Sequence, residues 1–377
     1  MTDPTHIDLS GSWLFVDDDP NSAKSYAARL SEGANAIALT VLPPSQGRVA
    51  LLTGNSTPLG VLMDVDLTGE PGEHGTGLGI AQDIRARQKA RKINEFPIIR
   101  FANIEPVKIN IGGDPSSDDL FDDKMDKGAV GRNTGIVQRR LIGVAAIYDH
   151  LKSMGNNPAD SEISNLFSLD EPHLSEWTHP GLMSRLTDGM RQAIHVAAGA
   201  YLRSFLMPTG LLMDRKLLLM RMGTTQESGE KSWDVISKFA DSFKFRGLGS
   251  EHYERWWARG LEEAWDELEF AEAPIAMTSA TDRTSAFANV FDIELEPLQL
   301  GDRSPGTRPW RWCTLRQEED PPSYVPVDPR FGVKISPRVD VAPWIEPAMA
   351  SIGAAVRKEQ DARLNRTDIE RLVSELS

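Results

Sequence analysis

Between Ser10 and Lys152, short β-prone apolar runs alternate with stretches patterned as helices, and few folds satisfy that alternation. WLFV (Trp13 to Val16) reads as a compact buried strand that ends in three aspartates. Asp19-Pro20 then has the form of an N-cap followed by proline at the first helical position. Ala23, Ala27 and Leu30 lay an apolar stripe along the helix that follows. AIALTVL (Ala36 to Leu42) is a second strand and GVLMDVDL (Gly60 to Leu67) a third. After a glycine-rich loop, Leu78, Ala81 and Ile84 mark another helix. FPIIRF (Phe96 to Phe101) is a fourth strand, and Leu120-Phe121 is the stub of a fifth. From Thr134 onward, Val137, Leu141, Val144, Tyr148 and Leu151 recur at helical spacing. The pattern predicts an α/β fold with a doubly wound, parallel five-stranded sheet covered on both faces.

Acidic residues sit where such a sheet does its chemistry. Asp17 and Asp18 close the first strand, Asp64 closes the third, and Lys124 follows the fifth. In the strand order 2-1-3-4-5 the first and third strands are neighbours, so their acids stand side by side at the carboxyl edge. Carboxylates crowded at one point repel unless a cation holds them, and Mg²⁺ prefers oxygen ligands. Phosphoryl transfer to a carboxylate needs the same parts: a nucleophilic aspartate, a divalent cation, its oxygen ligands and a compensating positive charge.

LFVDDDP, LMDVDLTG, FPIIRFAN and LFDDK, in that order, resemble the successive signatures of the CheY-like receiver domains of two-component signalling. The resemblance covers roughly the first 150 residues and implies a flavodoxin-like receiver with Asp64 as phosphoacceptor. It further implies that Asp17, Asp18 and Asp64 hold Mg²⁺ together with the backbone carbonyl of Asp66. Lys124 would contact the phosphoryl group, and Phe121 would hold the aromatic switch position. A histidine kinase or phosphotransfer protein would be the partner. Ala102 stands at the end of the fourth strand, where the family usually has Ser or Thr, so no hydroxyl is offered to a phosphoryl oxygen there. Met125 and Thr68 replace common prolines, the loop Gly69 to Thr76 is long, and IGGDPSSDDL reads poorly as the fourth helix. The acids and the lysine carry the chemistry; the altered parts belong to the readout.

Beyond Gly155 the character changes. NNPADSE is a turn-rich linker, and Leu182, Leu186, Met190, Ile194, Ala197 and Tyr201 trace one face of a long helix. Trp257, Leu261, Trp265 and Leu268 trace another. Three regions are expected: a receiver over 1–155, a mostly α-helical domain over 156–300, and over 301–377 a Pro- and aromatic-rich extension with a capped terminal helix, packed on the helical domain. The extension is structured, because Trp310, Trp312, Tyr324, Phe331 and Trp344 favour burial.

The net charge of −14 disfavours nucleic acid as a partner, since phosphate attraction underlies such binding. No apolar run approaches the roughly 20 residues of a membrane span. The opening MTDPTHIDLS lacks the basic and apolar parts of a secretion signal. A single cysteine, Cys313, forms no internal disulfide and fits a reducing compartment. A cytoplasmic location is therefore expected; the resemblance implies a signalling protein, with which a homodimer is compatible. His150 reads as a solvated helix histidine and His195 as a packed or capped one. Cys313 reads as buried packing, and HYERWWARGLEEAW as an amphipathic core or interface helix. Arg203, Arg215, Lys216 and Arg221 read as a solvated face more readily than as a basic patch.

The receiver reading makes the chain a phosphoryl acceptor, catalysing only its own phosphorylation and dephosphorylation, with either a switch or a phosphate-sink role. A phosphorylation-independent scaffold and a transcriptional regulator with an unrecognised DNA-binding module are the rivals. A third is an enzyme built around Trp312, Asp328, Arg330 and Asp340.

Overall fold

The computed structural model describes residues 9–53, 57–65, 67, 76–103, 119–268, 272–301, 304–315, 325–337, 341–358 and 360–376. They form two compact units, one comprising Met1–Asp170, His179–Met207 and Arg246–Tyr253, the other Glu171–Thr178, Pro208–Phe245 and Glu254–Ser377. The segments 156–170 and 179–207 thus belong to the same unit as the first 155 residues, and 301–377 shares a unit with most of 208–300, a division that runs differently from the three expected regions.

The first unit is α/β. Strands β1 (Trp13–Val16), β2 (Leu39–Leu42), β3 (Gly60–Met63), β4 (Ile98–Ala102) and β5 (Asp123–Asp126) form one sheet in the order β2-β1-β3-β4-β5, every pair parallel. β1 and β3 are buried along their whole length, as central strands covered on both faces must be. Helices α1 (Pro20–Leu30), α2 (Pro44–Thr53), α3 (Gly77–Lys89) and α4 (Lys127–Met154) surround the sheet. Ala50, Leu51, Ile80 and Ile84 of α2 and α3 pack with Leu14, Val16, Val61, Met63 and Ile98 on one face. On the other, Phe101 meets Phe15 and Tyr26 edge to face at 5.2 and 5.9 Å. The helix α2 carries no regular apolar stripe; Gly47 lets it approach the sheet, since a Cβ there would lie 2.8 Å from Val16 Cγ2.

Three local expectations change. The fifth strand is Asp123–Asp126, not Leu120-Phe121. Phe121 is buried just ahead of the strand. In β5, Asp123 and Met125 turn inward while Lys124 is exposed, the pattern of a polar edge strand. Arg140 of α4 neutralises Asp123, with Nη2 2.6 Å from both carboxylate oxygens. Helix α4 begins at Lys127 rather than Thr134, with a break in helical geometry at Asn133 (φ −157°, ψ 79°). Finally, the long helix over Leu182 to Tyr201 is two, α7 (Pro180–Gln192) and α8 (Ile194–Tyr201), with Ala193 extended between them. A Cβ on Gly189 would lie 2.8 Å from Ala197 Cα, so that glycine lets the two helices close on each other. Helix α5 (Asp160–Asn165) packs on α7, and α8 packs on α4.

The second unit contains α6 (Glu171–Trp177), α9 (Arg215–Arg221), α10 (Gln226–Lys231), α11 (Trp233–Ala240), α12 (Ala258–Asp266), α13 (Ala280–Phe291), α14 (Ile352–Arg357) and α15 (Arg366–Leu376). Its strands make three antiparallel pairs: β6 (Leu212–Met213) with β7 (Trp256–Trp257), β8 (Arg311–Trp312) with β9 (Pro326–Val327), and β10 (Gly332–Lys334) with β11 (Met349–Ser351). Trp257 is therefore a strand residue and the helix starts after it, burying Leu261 and Trp265. Cys313 is buried with Val327, Val333, Ala350, Leu364 and Leu372. The extension is anchored by backbone as well as side chains, Glu346 N–H donating to Thr209 O at 3.0 Å. Among the described residues no helix is long and apolar enough to cross a membrane.

Candidate functional site

The run Asp17-Asp18-Asp19 leaves β1 at its carboxyl end and splits into two roles. Asp19 caps α1, its Oδ1 accepting the N–H groups of Asn21 and Ser22 at 3.1 and 3.2 Å. Asp17 turns back under the cap, with its Oδ1 accepting the Asp19 N–H at 2.8 Å. Asp64 follows β3, and its N–H donates to Val16 O at 3.0 Å, which fixes it beside Asp17. Ligand oxygens of Asp17, Asp18 and Asp64 all lie within 4.8 Å of one another. Asp17 and Asp64 are buried and Asp18 half-buried.

The lysine seen bonded to this cluster among the described residues is Lys127. Lys127 Nζ donates to Asp17 Oδ2 and to Asp64 Oδ2, both at 2.6 Å, and sits 5.7 Å from the centre of the Phe15 ring. Val16, Met63, Arg100 and Lys124 share one level across the sheet. Lys124 is therefore still inside its strand and exposed, whereas Lys127 lies three residues on, past the edge where the acids gather. Asp126 caps α4 through Gly128 N–H at 3.0 Å, which makes Lys127 the first residue of that helix with no intervening loop. Phe121 lies six residues before Lys127 and is buried. Ala102 is the last residue of β4, buried and paired in register with Asp126. The residue after the site lysine is Gly128, and Met125 is a buried strand residue. Asp66, most of the loop Gly69 to Thr76 and the segment 111–118 lie outside the described residues.

Burial pushes the Asp17 carboxyl above its ordinary range, more than the Lys127 and Asp19 N–H bonds pull it down, and the nearby Asp64 charge adds to the rise. For Lys127, burial alone would lower the ammonium, but its bonds to Asp17 and Asp64 outweigh this and raise it. Lys127 bonds Asp17 and Asp64, and Asp18 brings a third carboxylate to the same half-enclosed site. Octahedral Mg²⁺ at roughly 2.1 Å from each ligand places neighbouring oxygens about 3 Å and opposite ones about 4 Å apart. The all-carboxylate donor set and its spacing fit such a hard cation.

The backbone of Asp64 is itself clamped. A Cβ on Gly77, the first residue of α3, would lie 1.9 Å from Asp64 O. Gly77→Ala is expected to cost about 2 kcal/mol of stability through overpacking and to weaken divalent-cation binding. Urea melts with and without Mg²⁺ measure both; unchanged curves would mean that α3 retreats without moving Asp64.

The remaining sequence candidates are occupied otherwise. His195 Nδ1 lies 2.9 Å from Glu95 Oε2, at the start of α8, and His150 is exposed on α4. Arg203 donates to Phe121 O at 2.7 Å, and Arg215 stacks on Trp233 at 4.0 Å while binding Glu230 and Glu254. Arg221 is neither patch nor solvated face, being 2 % exposed. Asp328 is gripped by the Arg330 guanidinium and by the N–H groups of Thr307, Arg308 and Arg330, a structural clasp; Asp340 is outside the described residues. Sequence reasoning missed Lys127, although an aspartate immediately before it has the form of a helix N-cap. No protein-family model matches the chain, and no curated protein sequence matches it.

Proposed function

We propose that the first unit is a receiver of the response-regulator kind, in which Asp64 accepts a phosphoryl group from a partner histidine kinase or phosphotransfer protein. The observation that carries this is the juxtaposition of Asp17, Asp18 and Asp64 with the Lys127 ammonium at the carboxyl edge of a 2-1-3-4-5 sheet. A carboxylate oxygen of Asp64 forms the new bond to phosphorus as the phosphorus–nitrogen bond of the donor phosphohistidine breaks, its electron pair returning to the imidazole. Asp17 and Asp18 hold negative charge for cation binding, and Lys127 supplies N–H donors to the transferred oxygens. Mg²⁺ held by Asp17, Asp18 and Asp64, with the Asp66 carbonyl where the resemblance puts it, would neutralise phosphoryl charge during transfer. The helical part of the second unit then serves as output or as a docking body, and the setting is the cytoplasm, where kinases of this kind act.

Ala102 favours a phosphate sink over a switch. It closes β4 without a hydroxyl, so the usual hydrogen bond that couples a phosphoryl group to the readout has no donor there. Acetyl phosphate with Mg²⁺ followed by Phos-tag electrophoresis and mass spectrometry is expected to show one phosphoryl group on Asp64, absent from Asp64→Asn. An unmodified wild-type Asp64 would leave a phosphorylation-independent interaction scaffold as the better reading.

A further inference from the structure

We propose that the second unit holds a buried site for a small phosphate-type dianion, built by Arg221, Arg283 and Arg311 around Trp310. Arg221 ends α9, Arg283 lies in the first turns of α13 and Arg311 opens β8, so three separate elements deliver guanidinium groups to one place. The guanidinium carbons of Arg221 and Arg283 lie 4.6 and 5.4 Å from the centre of the same Trp310 ring. Arg221 and Arg283 are 2 % and 0 % exposed. Water therefore does not screen their charges.

The donors outnumber their acceptors. Arg283 spends Nη2 on Pro309 O at 2.9 Å, while its Nε and Nη1 have no hydrogen-bond partner among the described residues. Arg221 Nε and Arg311 Nη1 are likewise buried without one. Glu346 is the nearby counter-charge: it binds Arg221 Nη2 through Oε1, and its Oε2 lies 3.2 Å from Arg311 Nη1 without hydrogen-bond geometry. The Asp328 charge also reaches Arg283, but that carboxylate is already taken by Arg330. Among the described residues, three guanidinium charges face the Glu346 carboxylate, an excess of two positive charges. Burial, reinforced by the Arg221 charge, pushes Arg283 down to about 9, the direction expected of a cation waiting for an anion.

A dianion with several acceptor oxygens answers both deficits at once. Guanidinium forks match phosphate oxygens in geometry, and a dianion cancels the excess charge. Arg311, the most exposed of the three, marks the solvent side. Hydrogen phosphate or the terminal group of a small phosphate monoester has this chemistry. None of its residues belongs to the unit that carries Asp64.

The full chain would be titrated with sodium phosphate and, separately, with glycerol 2-phosphate, in EDTA and against sodium chloride of equal ionic strength. EDTA removes metal-bridged phosphate at the acid cluster. Saturable heat by calorimetry and a rise in melting temperature of roughly 3–6 °C at saturation are expected for at least one anion. Binding of inorganic phosphate alone identifies the free ion as the ligand; equal or tighter binding of the monoester identifies an organic phosphate. Arg311→Gln, at the solvent side, is expected to weaken binding roughly 10- to 100-fold while leaving the anion-free melting temperature near wild type. Arg283→Met is expected to abolish binding. The proposal is overturned if neither anion exceeds the chloride control, or if Arg311→Gln binds as tightly as wild type.

Discussion

Asp122→Ala is expected to destabilise the first unit by about 3–5 kcal/mol, because it strands a buried guanidinium. Asp122 is fully buried and its carboxylate collects three donors: Arg85 Nη2 at 2.6 Å, Ile98 N–H at 2.8 Å and Tyr148 OH at 2.7 Å. Arg85 in turn reaches Leu120 O at 3.0 Å, Gln88 Oε1 at 2.7 Å and Phe96 O at 3.2 Å. Burial alone would depress the Arg85 guanidinium, yet the Asp122 charge holds it above its ordinary value. Burial likewise drives the Tyr148 hydroxyl well upward, so it stays a neutral donor. The cluster ties α3, the start of β4, the approach to β5 and α4 together. Removing the acid leaves a charge with no water to receive it. Chemical denaturation measures the loss, and the double variant Arg85→Met, Asp122→Leu should lose less than Asp122→Ala alone. A single-variant loss below about 1 kcal/mol would mean that the cluster is plastic.

Lys127→Met is expected to make the stability of the first unit depend on Mg²⁺. Two unit charges 4 Å apart repel by about 4 kcal/mol at an effective dielectric of 20, so carboxylates deprived of their ammonium are costly neighbours. Without divalent cations the variant should lose about 2–4 kcal/mol, and saturating Mg²⁺ should recover most of it. Its apparent affinity for Mg²⁺ should exceed that of the wild type, since no ammonium competes for Asp17 and Asp64. Lys124→Met, in the exposed position within β5, should change both quantities less than Lys127→Met does. Melting curves across a Mg²⁺ titration separate the two lysines, and equal behaviour of the two variants would remove Lys127 from the site.

The central strands were legible because their burial is written as unbroken apolar runs. WLFV is β1 residue for residue, and the Asp19-Pro20 start of α1 needs only local geometry. The parallel sheet followed from the alternation of elements, and its order came with the resemblance to receiver domains. The edge strand was illegible for a physical reason: β5 is DKMD, and what allows Asp123 to be buried is Arg140, seventeen residues away on another element. The apolar pair Leu120-Phe121 beside it gave a stronger local signal and drew the strand three residues too early. Gly128, Gly131, Asn133 and Gly135 hid the start of α4, because each reads as a helix breaker when its surroundings are unknown. The split between α7 and α8 was hidden by the opposite effect. Each helix carries an apolar face, and the two faces happen to continue one another through Ala193 in the one-dimensional pattern.

The irregular backbone at Asn133 bears on how the acid cluster is coupled to the rest of its unit. The ammonium that neutralises two aspartates is borne by the opening turn of a 28-residue helix, and six residues later that rod has a joint. A rearrangement of charge at the carboxylates can therefore draw the ammonium along with a short stub of backbone, while the remaining turns keep their seat. Charge neutralisation at the acids and packing against the sheet thus fall to different parts of α4.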